Sequence, residues 1–248
     1  MKFGAIIIGD ELLSGKRGDR HFPQVILVLA ERGLELGWCR IVGDDPDLIV
    51  ETLRQTLAGG DAVVCFGGIG ATPDDHTRAC AARAAGVALA PHSEAVKEIE
   101  ARFGAAAYPQ RIRLAELPAG SDVIPNPYNR IPGFSLGHHY FLPGFPEMAW
   151  PMMAWVLDRH YRHLHSRHPA IERSLSVWAR EGELLPLMEA FVERHPRCRL
   201  SSLPELSPER PRLELGVRGG EPDVRAAIDY LQHELTALNI EWRDKDAV

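Results

Sequence analysis

Apolar and polar positions along the first ninety residues alternate in blocks of two kinds, short unbroken apolar runs and longer stretches with helical spacing. Lys2 to Ile8 reads as a buried strand, Phe22 to Arg32 as a helix closed by Gly33, and Leu34 to Val42 as a second strand. Pro46 opens a helix to Leu57, and Ala62 to Phe66 forms a third strand that runs into Gly67-Gly68-Ile69-Gly70. Asp74 to Ala85 is apolar on one face and ends at Gly86, a residue suited to a left-handed helix terminus. Strands alternating with helices at this spacing predict βαβ units on a mainly parallel sheet.

The pattern is weaker further on. Ser93 is the predicted N-cap of a helix to Phe103, and Gly104 to Gly137 is irregular, with short strands at 122–124 and 140–142. Pro143-Gly144-Phe145-Pro146 turns the chain into a helix from Glu147 to Tyr161, with Trp150, Met153 and Trp155 as core candidates and Pro151 in its first turn. Beyond His165 the order becomes strand (Glu172 to Trp178), helix (Glu183 to Arg194), strand (Arg197 to Leu203), strand (Arg212 to Val217) and helix (Pro222 to Leu238). The expectation is a three-layer αβα domain over residues 1–165, a linker at Ser166-Arg167-His168-Pro169, and a small α+β domain over 170–243 with a loop from Pro204 to Pro211.

Composition narrows the class. The chain has 248 residues, 45% apolar and 25% charged, the balance of a globular protein with a substantial core. The longest apolar run is too short to cross a membrane, and the amino terminus lacks a signal-peptide pattern, so the cytoplasm is the expected location and no membrane partner is expected. Cys39, Cys65, Cys80 and Cys198 are scattered without a C-x-x-C pair and read as buried thiols. The net charge of -6 divides evenly about residue 165, which disfavours duplex nucleic acid as a partner.

In a parallel α/β sheet, ligands bind beyond the carboxyl ends of the strands. Three loops should meet there: Gly9-Asp10-Glu11-Leu12-Leu13-Ser14-Gly15, Gly43-Asp44-Asp45-Pro46-Asp47, and the stretch from Gly67 to Thr77 that carries Thr72, Asp74 and Asp75. The glycines of the third bring backbone N–H groups toward a ligand at a helix start, a setting for phosphate. Asp74 and Asp75 would repel a bare phosphate there unless a divalent cation bridged carboxylate and phosphate oxygens. An Asp pair opening a helix is by itself more often a cap, but three acidic loops at equivalent strand ends favour metal plus phosphate. His76 lies beside this crevice. His160 and His163 share a helix face near His165 and His168, without a carboxylate or Cys partner at fixed spacing. No G-x-S-x-G elbow, Walker lysine or G-x-G-x-x-G occurs.

The runs Gly9 to Gly15, Gly67 to Thr77 and Leu142-Pro143-Gly144-Phe145-Pro146-Glu147-Met148 together resemble the molybdopterin-binding (MoaB/MogA-like) family, in the variant of the amino-terminal domain of CinA proteins. The following β-α-β-β-α order is similar to the KH-like domain of CinA. The resemblance implies Asp44 and Asp75 at the functional acidic positions, with Glu11, Gly67, Gly68, Gly70, Thr72, Thr77, Pro143 and Gly144 around the ligand, and we add Ser14 and Asp74 as ligand-binding candidates. Glu11, Asp44 and Asp75 are the catalytic candidates, with Asp44 and Asp75 as ligands to Mg, Mn or Co. Two readings follow from the resemblance. One is a metal-dependent pyrophosphatase acting on ADP-ribose or a related nucleotide diphosphate; the other is a non-catalytic carrier of molybdopterin or another pterin phosphate. A dimer or trimer is expected. The carboxy-terminal deamidase domain of full-length CinA has no room in this sequence. His21 stands where the family usually has Asn, and Asn129-Arg130-Ile131-Pro132-Gly133 replaces its usual Gly-Thr-Ala-Pro-Gly, which makes Arg130, Lys16 and Arg17 candidates for a phosphate clamp.

Overall fold

A computed structural model describes residues 1–166, 170–205 and 210–245, so Arg167, His168 and Pro169 of the expected linker and 206–209 of the expected loop lie outside the described residues. The chain divides into two compact units, Met1–His165 and Ser166–Val248.

The first unit runs β1 (Phe3–Ile8), α1 (Asp10–Leu13), α2 (His21–Ala30), β2 (Leu36–Val42), α3 (Pro46–Leu57), β3 (Ala62–Phe66), α4 (Thr77–Ala85), β4 (Leu89–Pro91), α5 (Ser93–Phe103), β5 (Glu116–Pro118), β6 (Asp122–Ile124), β7 (Gly133–Leu136), β8 (His139–Leu142) and α6 (Pro146–His160). Its main sheet has the order β2-β1-β3-β8-β7-β6. The pairs from β2 to β8 are parallel and those of β7 and β6 antiparallel. All six residues of β1 are buried, as a strand covered on both faces requires. Ile7 points to one core with Val25 and Leu29 of α2 and Met152 and Met153 of α6; Ile6 points to the other, with Ile49 and Leu53 of α3 and Ile99 of α5. The result is a three-layer αβα sandwich.

Three local features differ from the sequence reading. Helix α4 begins at Thr77, not Asp74, because Asp75 N–H bonds to the Thr72 carbonyl and Thr77 N–H to Gly68, closing a turn around Pro73 before the helix starts. β5 and β7 emerge from the irregular stretch Gly104 to Gly137, and β4 from the connection between Gly86 and Ser93. Trp155, expected in the core, keeps 37% of its surface exposed, while Met153 on the same helix is fully buried.

The second unit contains β9 (Ile171–Val177), α7 (Glu181–Arg194), β10 (Arg199–Glu205), β11 (Arg212–Gly219), α8 (Glu221–Ala237) and β12 (Trp242–Asp244). Its antiparallel sheet has the order β10-β11-β9-β12. Leu184 and Phe191 of α7 and Ile228 and Leu231 of α8 pack with Leu175 and Leu215 of the sheet. Glu183 closes a capping box by accepting from the Arg180 N–H at 3.1 Å. Of the four thiols, Cys65 and Cys80 are buried and Cys39 and Cys198 half-buried.

One buried imidazole makes the first unit acid-sensitive. The Thr56 hydroxyl lies 3.1 Å from the Thr52 carbonyl and 3.2 Å from that of Leu53, so it accepts from His139 Nε2–H, 2.9 Å away. Burial pushes His139 down to about 4. The unfolded chain therefore binds this proton more tightly, and stability present above the ordinary histidine value is lost as pH falls toward 4. The loss is on the order of 3 kcal/mol. Thermal unfolding of wild type and His139→Gln between pH 7 and about pH 4.5 should show a flatter profile for the variant; parallel profiles would contradict the assignment.

Candidate functional site

Gly67 marks the point where three strand ends meet. It follows Phe66 of β3, its N–H donates to Leu142 of β8 at 3.0 Å, and a methyl group placed on it would lie 2.3 Å from the carbonyl oxygen of Ile8 at the end of β1. Its φ is 101° and that of Gly68 is 65°, both in the region that favours glycine. From the other side Gly144 comes close enough that a Cβ there would touch the Gly67 Cα at 3.5 Å. Pro143 is buried beside it, and Gly144 is exposed.

The start of α4 organises this loop. Thr77, fully buried, donates its hydroxyl to the Gly67 carbonyl at 2.9 Å and its N–H to the Gly68 carbonyl at 2.9 Å. In a planar trans peptide the next N–H points the opposite way, so Gly68 and Ile69 turn their N–H groups away from α4. Neither N–H has an acceptor among the described residues. Successive N–H groups presented this way form an anion-binding concavity.

The acidic loops converge in part. Asp10 N–H donates to Asp44 Oδ2 at 2.9 Å, and Asp44 N–H donates to Asp10 Oδ1 at 3.0 Å, a reciprocal pair that ties the loop after β1 to the loop after β2. Glu11 folds back over Gly9, where a Cβ would meet Glu11 Oε2 at 2.6 Å. Burial pushes the Asp44 carboxyl above the usual carboxylate range; the Asp10 N–H acts against this, while the charges of Asp10, Glu11 and Asp74 act with it. Asp74 is exposed, and the Thr72 hydroxyl nearby together with its own backbone N–H holds its carboxyl below that range. Asp45 caps α3 through Leu48 N–H at 2.8 Å.

Asp75 is placed differently from Asp44 and Glu11. Its Oδ2 accepts from Thr72 N–H at 2.9 Å and from the Thr72 hydroxyl, and lies 2.4 Å from where a Cβ on Gly70 would be. Ser14 is exposed at the end of α1. Arg130 is engaged elsewhere: it forms a bidentate pair with Glu98 at 2.9 and 3.1 Å and lines a groove at the β6 edge with Asp122 and Trp155. Among the described residues no three His, Cys, Asp or Glu side chains are grouped to hold a metal ion, and this includes His160, His163 and His165.

A cavity of about 460 Å³ adjoins the loop after β1, lined by Glu11, Arg17, Arg20, His21, Gly144 and Phe145. His21 is buried and stacked on Phe66 with ring centroids 4.3 Å apart. Its Nδ1 accepts from the Trp150 indole N–H at 3.3 Å, which leaves Nε2–H to donate to the Gly144 carbonyl at 3.0 Å. Burial pushes its pKa down, so His21 is a neutral pin between α2, α6 and the Gly144 turn. The sequence marked His21 only as a departure from the family pattern; its contacts join residues more than a hundred positions apart.

The first unit is thus a mainly parallel α/β sandwich with a glycine loop and carboxylates at its strand ends. The sequence pattern described as a probable molybdopterin binding domain matches residues 4–163, and the chain belongs to that family. A CinA-like protein of Geobacter metallireducens is 36% identical over 179 residues, 67% of this chain and 43% of that protein. A protein of Pyrobaculum calidifontis is 28% identical over 249 residues, 94% of each. The crystal structure of the protein CinA from Thermoplasma acidophilum, of unknown function, superposes with a TM-score of 0.58 at 28% identity, covering 63% of this chain and 96% of that one. The chain spans between 37% and 55% of the length of the CinA-like relatives it matches.

Proposed function

We propose that the first unit binds a nucleotide diphosphate of the ADP-ribose class and hydrolyses its pyrophosphate with a divalent cation. One observation carries the reading: the outward N–H groups of Gly68 and Ile69 lie at the same strand ends as Asp44, which exchanges backbone bonds with Asp10 beside Glu11. The N–H groups suit a phosphate; the carboxylates around Asp44 suit a cation.

The residues fit a cation of the Mg²⁺ kind, which takes one or two carboxylates and completes its shell with water and substrate phosphate, so a closed cage of three side chains is not required. Asp44 and Glu11 would hold it, with Asp74 within electrostatic reach; Asp75 has its Oδ2 engaged by Thr72. When bound, Mg²⁺, Mn²⁺ or Co²⁺ neutralises phosphate charge and acidifies water. The loop orients one phosphate, water adds to its phosphorus, and the bond to the bridging oxygen breaks. A water proton passes to Glu11 or Asp44, and the products are AMP and ribose 5-phosphate. The adjoining cavity, with Arg17, Arg20 and Phe145, takes the remainder of the ligand.

The family description favours a second reading, a carrier that holds a pterin phosphate such as molybdopterin without turnover. Calorimetric titration with ADP-ribose, inorganic pyrophosphate and a pterin phosphate, each with and without Mg²⁺, separates the two. The proposal expects Mg²⁺ to tighten ADP-ribose and pyrophosphate binding; tight, cation-independent binding of the pterin phosphate alone would favour the carrier.

A further inference from the structure

Arg78, the second residue of α4, is an internal cation with 8% of its surface exposed. Among the described residues its guanidinium forms no ion pair, although the charges of Glu116 and Asp75 act on it. It donates to three backbone carbonyls, those of Gly70 at 2.6 Å, Glu116 at 3.0 Å and Arg113. Its Nε–H is buried without an acceptor. A buried charge with an unsatisfied donor carries a desolvation cost, which its three carbonyl contacts offset only in part. A role in fastening Arg113 and Glu116 to α4 does not require a charge.

The contact with Gly70 supplies a role that does. Drawing the Gly70 carbonyl back toward α4 turns the N–H of Ala71, in the same planar peptide, to the opposite side. Ala71 is exposed, and its N–H has no acceptor among the described residues. Thr77 does the same to the peptides of Gly68 and Ile69. The guanidinium polarises the Gly70–Ala71 peptide from behind, which strengthens its N–H as a donor to an anion in front. We propose that Arg78 is a positioning residue of the phosphate site, fixing and polarising the Ala71 N–H so that Gly68, Ile69 and Ala71 bind one phosphoryl group together. The proposal rests on the reading of the glycine loop as a phosphate site.

The test uses inorganic pyrophosphate with Mg²⁺ as the probe, on wild type and Arg78→Lys. A lysine keeps the charge but not the planar fork that spans the three carbonyls. Pyrophosphate should bind Arg78→Lys at least about tenfold more weakly, while the melting temperature without ligand stays within a few degrees of wild type. A lowered melting temperature with unchanged affinity would mean that Arg78 only fastens the segment, and would overturn the proposal. In wild-type protein, pyrophosphate should shift the amide resonances of Gly68, Ile69 and Ala71. Shifts at Gly68 and Ile69 without Ala71 would also overturn it, and this measurement does not depend on the variant folding. If wild type binds no pyrophosphate, the phosphate reading itself fails first.

Discussion

Asp44→Asn is expected to lower turnover of ADP-ribose by at least about a hundredfold, with the fold intact. The amide preserves the shape of the side chain and one oxygen to accept from the Asp10 N–H, so the tie between the loops after β1 and β2 is retained. What disappears is the negative charge on the group whose carboxyl burial and three acidic neighbours have raised. A cation would then lose its best-placed anionic ligand, and water a carboxylate able to take its proton. Asp75→Asn is the informative comparison. Its Oδ2 is committed to Thr72, and an amide oxygen can accept the same bonds, so its turnover should stay within about tenfold of wild type. A hundredfold loss at Asp75 with little effect at Asp44 would reverse the two roles.

The largest effect on stability is expected at Gly67→Ala. A φ of 101° is unfavourable for any residue with a Cβ, and the added methyl would lie 2.3 Å from the Ile8 carbonyl oxygen. That neighbour is main chain at the end of a buried strand, so it cannot swing aside. Strain and overlap together should cost roughly 3 kcal/mol or more, a fall in melting temperature on the order of 10 °C for a unit of this size. Gly15→Ala is the control: its φ of 70° is also positive, but nothing lies within 4 Å of the new methyl group. It should lose about 1 kcal/mol. Equal melting temperatures for the two variants would show that the strand ends can separate, and would remove the argument that Gly67 holds the loop in place.

The parts legible in the sequence are those whose signal is local. β1 and β3 are unbroken apolar runs because both faces of a central parallel strand are covered, and α3 carries Asp45 and Pro46 at its start and an apolar face along its length. β7 was not legible: Gly133-Phe134-Ser135-Leu136 is a strand because Phe134 lies opposite Phe141 of β8, their rings stacked 4.4 Å apart. The candidate site divides along the same line. That Glu11 and Asp44 stand at strand ends follows from the order of strands and helices, whereas the direction of Asp75 depends on where Thr72 places its donors. Arg78 and His21 escape a linear reading altogether, since their importance lies in the carbonyls of Gly70 and Gly144 that the fold brings to them.

Release of AMP and ribose 5-phosphate from ADP-ribose, followed with Mg²⁺, Mn²⁺ and Co²⁺ and with chelator, tests the central claim most directly. The expected result is turnover that requires a divalent cation and falls at least about a hundredfold in Asp44→Asn. No turnover by wild-type protein with any of the three cations, together with tight binding of a pterin phosphate, would contradict it.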